Sequence, residues 1–496
     1  MPANSFARQL ACGIRYALVL LMIVGSAPAR VLAGGLVVTT TADEQNTNGA
    51  CSLREAIINA NNDNQSGSTD CAAGSGADQI TFAVAGPIVL GSSLPAIVGD
   101  LTITGPGPAA SALTISGNNA VRVLKVNAGA RLTLDTLSVS NGLVTNDYGG
   151  GVRNSGTLVV NNSRIVNNIS AGTSCCSGGG GLSSEGVLTV THSVVSDNQS
   201  SWGGGINVNG ALALTDTQVN GNSASERGGG VFVYTGGQAS IRGGEIFSNT
   251  APSTTFGNGG GGIYNAQTLA LDGVNIHDNT SAGVGGGILN TGVMTLTRST
   301  LSANSAANGG SALYTTASLT VTNSTLMSNT TGIIVYLASG THLLSNSTVS
   351  SNNGDAIYIG SGSATLVNVT VYQNTGFGLV NSMYKKNTII ANNGGGNCLF
   401  ANTGYTQGFN LSDDTSCLLN GIGDQQGIPV LLGLLANNGG PTLTHMPLPG
   451  SPAIDKGAGC SVLDQRGAPR AGAACDVGAV EYGSYPPVLF LPLVRR

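Results

Sequence analysis

Residues 179–198 read GGGLSSEGVLTVTHSVVSDN, residues 285–304 read GGGILNTGVMTLTRSTLSAN, and residues 309–329 read GGSALYTTASLTVTNSTLMSN. One phrase is being repeated: a Gly-rich start, a short alternating strand, a polar corner, an aliphatic residue and a closing Asn. The phrase runs from about Gly149 onward. Its closing Asn recurs at Asn168, Asn198, Asn222, Asn249, Asn279, Asn304, Asn329, Asn352, Asn374 and Asn393, at intervals of 19 to 30 residues. Self-similarity at such a period marks a stacked repeat, which grows along one axis, and not a string of globular domains.

Columns drawn relative to the Asn show what is buried. Three residues before it stand Ile165, Val195, Val219, Ile246, Ile276, Leu301, Leu326, Val349, Val371 and Ile390, all aliphatic. Eight residues before it the column is Val160, Val190, Leu214, Ile241, Leu271, Leu296, Val321, Leu344, Leu366 and finally Lys385. A third column, two residues further back, is also mostly apolar, from Leu158 and Leu188 through Met294 and Leu319. The positions between are mainly Thr, Ser, Asn and Ala. This is period-two alternation, a corner, then a second short strand. One such strand cannot bury its face alone. Coils stacked in parallel give each strand two hydrogen-bonded neighbours about 4.8 Å away and a continuous aliphatic core, and the bias of parallel crossovers makes the winding right-handed. The Asn column is expected to turn a tight corner with a left-handed backbone and to bond amide to amide between coils. The Gly runs are expected to supply further corners of positive φ. A leucine-rich repeat is disfavoured because Gly-Gly-Gly with Ser and Thr does not make helices. A Ca²⁺-binding glycine-rich roll lacks its Asp ligands here. The expected fold is therefore all-β: a right-handed parallel β-helix solenoid with a short N-terminal capping helix and a C-terminal β/loop module. Less regular coils such as DLTITG (100–105) and ARLTLDTLSVSNG (130–142) precede the clear ones, giving a rod on the order of 60 Å at about 4.8 Å per coil.

An open stack leaves an unpaired edge at each end, so caps are expected. At the N-terminal end, Ser52 followed by Glu55 in ACSLREAIINAN (50–61) forms a capping box, with Leu53, Ala56, Ile57 and Ala60 on one helical face. At the other end, Lys385 in a core column signals that the regular stack is finishing. The expected divisions are 1–33 signal peptide, 34–78 N-terminal cap, 79–397 β-helix, and 398–496 C-terminal module and tail.

Composition narrows the class. Charged residues are 9% and Gly 76 of 496 residues, yet 41% of the chain is hydrophobic and regularly spaced, which disfavours disorder. A net charge of −5 without a basic run argues against nucleic-acid binding. Arg8 and Arg15, the apolar run Ala17 to Val24 and the small residues before Gly34 read as a secretory signal. Ala29 offers a second cut. No later stretch is long enough to span a bilayer. Removing Cys12 with the signal leaves eight Cys, an even number. In an exported chain these read as disulfides between near neighbours, Cys51 with Cys71, Cys398 with Cys417 and Cys460 with Cys475. Zinc is the alternative. The adjacent Cys175 and Cys176 stand apart, since a bond between neighbours is strained.

Outward columns are where catalytic side chains of such a stack would stand. A β-helix enzyme on acidic polysaccharide places carboxylates on neighbouring coils, to bind Ca²⁺ or to act as acid and nucleophile. The column seven before the Asn holds one Arg242/Asp272 neighbour pair, expected as a surface ion pair, and no carboxylate pair. The next column sets His192 above Asp216, the one candidate acid–base pair, with no third partner in view. Asp197 and Asp278 share a column but lie three coils apart. Asp455, Asp464, Arg466, Asp476 and Glu481 form the densest charge group, read as ion pairing in the C-terminal module or as a Ca²⁺ site. Tyr234, Tyr264, Tyr314, Tyr336 and Tyr358 are expected along one ridge, as a structural stack or a platform for sugars. Trp202 is equally open to both readings. No cofactor is expected, Ca²⁺ being the one candidate; the metal ligands are not identifiable.

The residues also carry a family resemblance. Cys51 to Ala56, CSLREA, resembles the element that begins many bacterial secreted β-helix proteins. GGG[ILV] with IFSN, VSDN or LSAN resembles the repeats of chlamydial polymorphic outer-membrane proteins, although only Phe247 gives their aromatic form. GGPTLTHMPLPGSPAIDKG (439–457), DQRGAPR (464–470) and DVGAVEY (476–482) resemble the C-terminal module of β-helix proteins with a choice of surface anchors. The wider pectin-lyase-like superfamily shares the fold. The resemblance implies export and display at the cell surface or outer membrane, in an adhesin-like role. It transfers no catalytic residue. The expected function is thus a non-catalytic adhesion, ligand-binding or structural role. The expected partners are extracellular polysaccharide or a host or neighbouring-cell surface, with no nucleic acid, no transmembrane segment in the mature chain, and a monomeric state. A polysaccharide lyase or glycoside hydrolase is the alternative.

Overall fold

The computed structural model describes residues 35–487, apart from 173–176, 256, 403–404 and 471–473. The signal-peptide reading, the Cys175/Cys176 pair and most of the apolar tail therefore lie outside the described residues. The chain is wound into coils, each contributing to three parallel sheets of 14, 15 and 19 strands. One coil shows the pattern. Val187–Thr191 joins the first sheet, Val194–Ser196 the second, Asp197 and Asn198 form the corner, and Gln199–Trp202 with Ile206–Val208 forms the third side before Ala211–Thr215 begins the next coil.

Strand register reproduces the sequence columns. Val190 lies beside Leu214, then Ile241, Leu271 and Leu296. Val195 lies beside Val219, then Ile246 and Ile276. All are essentially without solvent exposure. At roughly 1.5–3 kcal/mol per fully buried aliphatic side chain, these columns are the chief stabiliser of the rod. The column beginning at Leu188 continues past Leu319 to His342, so an imidazole sits in the aliphatic core with 1% exposure. Burial pushes its pKa below the usual 6.5.

The Asn column is an amide ladder. Asn168 donates through Nδ2 to Asn198 Oδ1 at 3.0 Å, Asn198 to Asn222 at 3.0 Å, Asn222 to Asn249 at 2.9 Å and Asn249 to Asn279 at 3.0 Å. It runs on through Asn304, Asn329, Asn352 and Asn374 to Asn393. The left-handed backbone falls one residue earlier than expected. Asn167, Asp197, Ser248 and Asp278 carry the positive φ, and the ladder Asn do not. The physical reason is that the ladder Asn must aim its amide inward to meet its own backbone's neighbours, so the preceding exposed residue takes the turn. Each Gly run serves two needs. Gly203 turns at φ 61°, while a Cβ at Gly205 would lie 2.8 Å from the Gly230 carbonyl oxygen and 3.0 Å from Asn222 Cγ. The Gly run thus lets backbone close on the ladder. A second, shorter ladder has no counterpart in the sequence columns: Asn265 donates to Asn290 at 2.7 Å and Asn290 to Thr315 Oγ1 at 2.9 Å, all fully buried.

Stacking begins at Leu36–Val38, which pairs with Ala77–Phe82. Between them Leu53–Asn62 is helical, with Ser52 and Glu55 forming both halves of the capping box. The helix lays Leu53, Ala56 and Ile57 on the end of the core. Disulfides join Cys51 to Cys71, Cys398 to Cys417 and Cys460 to Cys475. The first sheet ends at Tyr384–Lys386, so Lys385 does mark its last strand, while the second sheet continues to Gln425–Gln426. Burial pushes the Lys385 pKa down, partly opposed by Asp424.

Residues beyond 427 do not extend the rod. They double back along the outer face of the second sheet. Thr325 Oγ1 donates to the Leu443 carbonyl at 2.6 Å, Thr348 Oγ1 to Gln465 Oε1 at 2.7 Å, and Asn346 Nδ2 to the Leu463 carbonyl at 3.1 Å. Small and hydroxylic outward positions in these coils make that docking dense. Tyr372, Ile389 and Ala391 face Val430, Ala453 and Val477.

Candidate functional site

Of the two outer faces that remain, the third sheet is the one with chemistry. Its outward column runs Arg153, Ser183, Asn207, Phe232, Tyr264, Leu289, Tyr314, Tyr336 and Tyr358 in register. Tyr336 meets Tyr314 and Tyr358 edge-on, each at 4.8 Å. Phe232 lies 5.0 Å from Tyr264. Four of the five expected tyrosines thus share one column. Tyr234 does not: it sits two residues past Phe232, which takes the column place. Strand register decides this, because Phe232 is the residue that pairs with Asn207 on one side and Tyr264 on the other.

Where the column shrinks to Ser183 and Asn207, between Arg153 and Phe232, a cup opens. Tyr148, Trp202 and Tyr234 wall it, and Glu185, Asn207 and Asn209 supply polar groups around a cavity of about 320 Å³. That is at the small end of the roughly 300–1,000 Å³ typical of small-molecule sites. Trp202 stacks on Tyr234 at 5.9 Å and lies 5.6 Å from Phe232. Its Nε1 donates to Glu226 Oε2 at 3.1 Å, which fixes the indole plane. Gly178 pairs with both Tyr148 and Trp202, so the two aromatics stand one coil on either side of a residue with no side chain. Charges rim the cup. Arg153 reaches Asp147 at 2.7 Å and Glu185 at 3.2 Å, and Arg122 also pairs with Asp147. Burial pushes the Asp147 carboxyl up, but the Arg122 hydrogen bond, the Tyr148 N–H and the charges of Arg122 and Arg153 outweigh it and hold it below the usual value.

The other candidates are arranged differently. His192 Nε2 lies 3.6 Å from Asp216 Oδ2, with both side chains more than half exposed. Both residues occupy left-handed corner positions between the first and second sheets. Arg242 and Asp272 are strand neighbours, yet the expected ion pair between them is not made. Arg298 takes Asp272 instead, at 2.6 Å, because its corner position aims the guanidinium across the coil edge. Asp197 and Asp278 keep to separate corners, Asp278 bonding His277 at 2.7 Å. In the C-terminal module Arg466 and Asp464 form a fully buried pair at 2.7 Å, and Arg470 pairs with Glu481 at 3.3 Å. Asp476 accepts the Asp455 N–H at 2.8 Å, and burial pushes its carboxyl pKa up. These acids are engaged with arginines and backbone amides. Among the described residues no group of three or more His, Cys, Asp or Glu is placed to hold a metal ion, and no helix is long and apolar enough to cross a membrane.

Sequence columns alone give only a hint of the cup. Small residues at Ser183 and Asn207 interrupt a column of large ones, but only the register of Ile206–Val208 reveals which residues share it. Residues 309–421 match the family described as a right handed beta helix region, in keeping with the coiled parallel sheets. No curated protein matches the chain.

Proposed function

We propose that this chain is an exported β-helix protein, secreted or held at the cell surface, whose third sheet is a non-catalytic binding face for extracellular polysaccharide. The observation that carries the reading is the cup of Tyr148, Trp202 and Tyr234, open at the end of a column whose Phe232, Tyr264, Leu289 and Tyr314 are themselves buried against one another. Aromatic faces take the C–H face of a sugar, and neighbouring amides and carboxylates take its hydroxyls. Three disulfides and the N-terminal segment with Arg8 and Arg15 support export. The CSLREA-like start, the Gly-Asn repeats and the anchor-like C-terminal motifs support a place in the pectin-lyase-like group displayed at the surface or outer membrane. In that role the protein acts as a monomer, adhesin-like, without a cofactor, and reaches polysaccharide or a neighbouring or host cell.

A glycan array probed with the full chain tests this. Retention of extracellular glycans, with no product in an ultraviolet β-elimination assay or a reducing-end assay, is the expected result. The second reading, a polysaccharide lyase or glycoside hydrolase, is favoured by the His192–Asp216 contact alone. Product formation that His192→Ala abolishes would replace the first reading with the second. An array that retains nothing would sink the first.

A further inference from the structure

The lining of the cup selects among sugars. Its residues include one carboxylate, Glu185, and no Lys, Arg or His. The neighbouring guanidinium of Arg153 is already held by Asp147 and by Glu185 itself. A uronate would bring a second carboxylate beside Glu185, and no cation lines the cup to meet it. A neutral sugar meets no such penalty. Asn207 adds a positive requirement. It is 8% exposed, and its Oδ1 finds no hydrogen-bond partner among the described residues. A buried amide oxygen left unpaired is costly. A hydroxyl both donates and accepts, so it satisfies this amide whichever way its oxygen and nitrogen are turned; a carboxylate only accepts.

We infer that the cup between Tyr148 and Trp202 binds one neutral, hexose-sized unit of a glycan, stacked on the indole and hydrogen-bonded through Asn207, and that uronate polymers are not its ligand. This rests on the reading of the third sheet as a glycan-binding face. Gly178 forms part of the selection. A Cβ there would lie 2.5 Å from Asn207 Nδ2 and 3.1 Å from Tyr148 Cδ1. A side chain at this position would displace the Asn207 amide and the Tyr148 ring, both of which line the cup.

The chain carries its own reporter, because Trp202 is its one tryptophan. Intrinsic fluorescence of the full chain is titrated with cellotetraose, maltotetraose and tetragalacturonate. A saturable change is expected with a neutral tetrasaccharide and none with tetragalacturonate. Asn207→Leu should weaken the response by about tenfold, one lost hydrogen bond in a buried site. Gly178→Ala should abolish it while circular dichroism stays that of the parent; if that variant fails to fold, Asn207→Leu still decides. A response to tetragalacturonate alone, a response unchanged in Asn207→Leu, or no response to any of the three overturns the inference. Array binding by the parent that survives in Asn207→Leu overturns the cup while leaving the glycan-binding reading intact.

Discussion

Replacing Asn249 by Ala is the sharpest test of the amide ladder. Four hydrogen bonds pass through this side chain. Its Oδ1 accepts from the Asn222 backbone N–H at 3.0 Å and from Asn222 Nδ2 at 2.9 Å, and its Nδ2 donates to the Val219 carbonyl at 2.9 Å and to Asn279 Oδ1 at 3.0 Å. Asn249 has no solvent exposure, so no water replaces these bonds. The Asn222 N–H loses its acceptor inside a closed corner. A net contribution of about 1 kcal/mol per bond, with the added penalty of orphaning a buried donor, gives a loss of about 3–5 kcal/mol for Asn249→Ala. The adjacent exposed residue supplies the control: Thr250→Ala should stay within about 0.5 kcal/mol. Denaturant titration reads the magnitude. Because a solenoid couples each coil chiefly to its neighbours, hydrogen exchange should quicken first in the coils carrying Asn222 and Asn279. A loss below about 1 kcal/mol, with exchange in those coils unchanged, would refute the assignment of the ladder as a stabilising element, given the four bonds it removes.

Other consequences follow from buried ionisable groups and crosslinks. Burial lowers the pKa of His342 and of His445, whose Nε2 and Nδ1 meet Ser350 Oγ at 2.7 Å and the Gly433 carbonyl at 2.8 Å. The unfolded chain therefore protonates first as pH falls below the ordinary 6.5, and stability is lost from there down to the depressed folded values; His342→Leu should reduce this slope in the rod and His445→Gln should remove the part seen in residues beyond 427, read by limited proteolysis across pH 7 to pH 5. For Lys385 the folded pKa is likewise depressed, so stability rises as pH climbs from that value toward 10.5; Lys385→Met should remove the rise and raise the denaturation midpoint at neutral pH. Reducing Cys51–Cys71, which closes a separation of 20 residues, should cost about 3 kcal/mol and expose Leu36 and Ile57 at the end of the core; unchanged hydrogen exchange in Leu53–Asn62 after reduction would contradict this. Arg466→Met leaves Asp464 buried without its partner and should free the C-terminal module from the second sheet at a cost of about 3–5 kcal/mol.

The repeat made most of the rod legible in the chain itself. A period near two dozen residues, with Val, Ile and Leu at fixed offsets from an Asn, leaves parallel stacking as the way to bury every strand and pair every amide, so the aliphatic columns and the ladder Asn could be aligned by counting. The helix at Leu53–Asn62 was legible for a similar reason, since the Ser52–Glu55 capping box is a local rule. What the repeat did not contain was anything set by contacts between distant residues. The left-handed turn moved to Asn167 and Asp197 because the inward aim of the ladder amide is a constraint from the next coil. Asp272 turned to Arg298 because a corner side chain reaches where a strand neighbour does not. The fold-back of residues beyond 427 onto Thr325, Thr348 and Thr370 rests on side-chain fit across more than a hundred residues of sequence. The cup has the same origin. Ser183 and Asn207 are unremarkable in their own strands; they become a floor only when register sets them between Arg153 and Phe232, with Gly178 holding Tyr148 and Trp202 apart. Periodicity decides the scaffold, because each coil repeats the same local energetics, while the site lies where the coils differ and only their stacking says which differences meet.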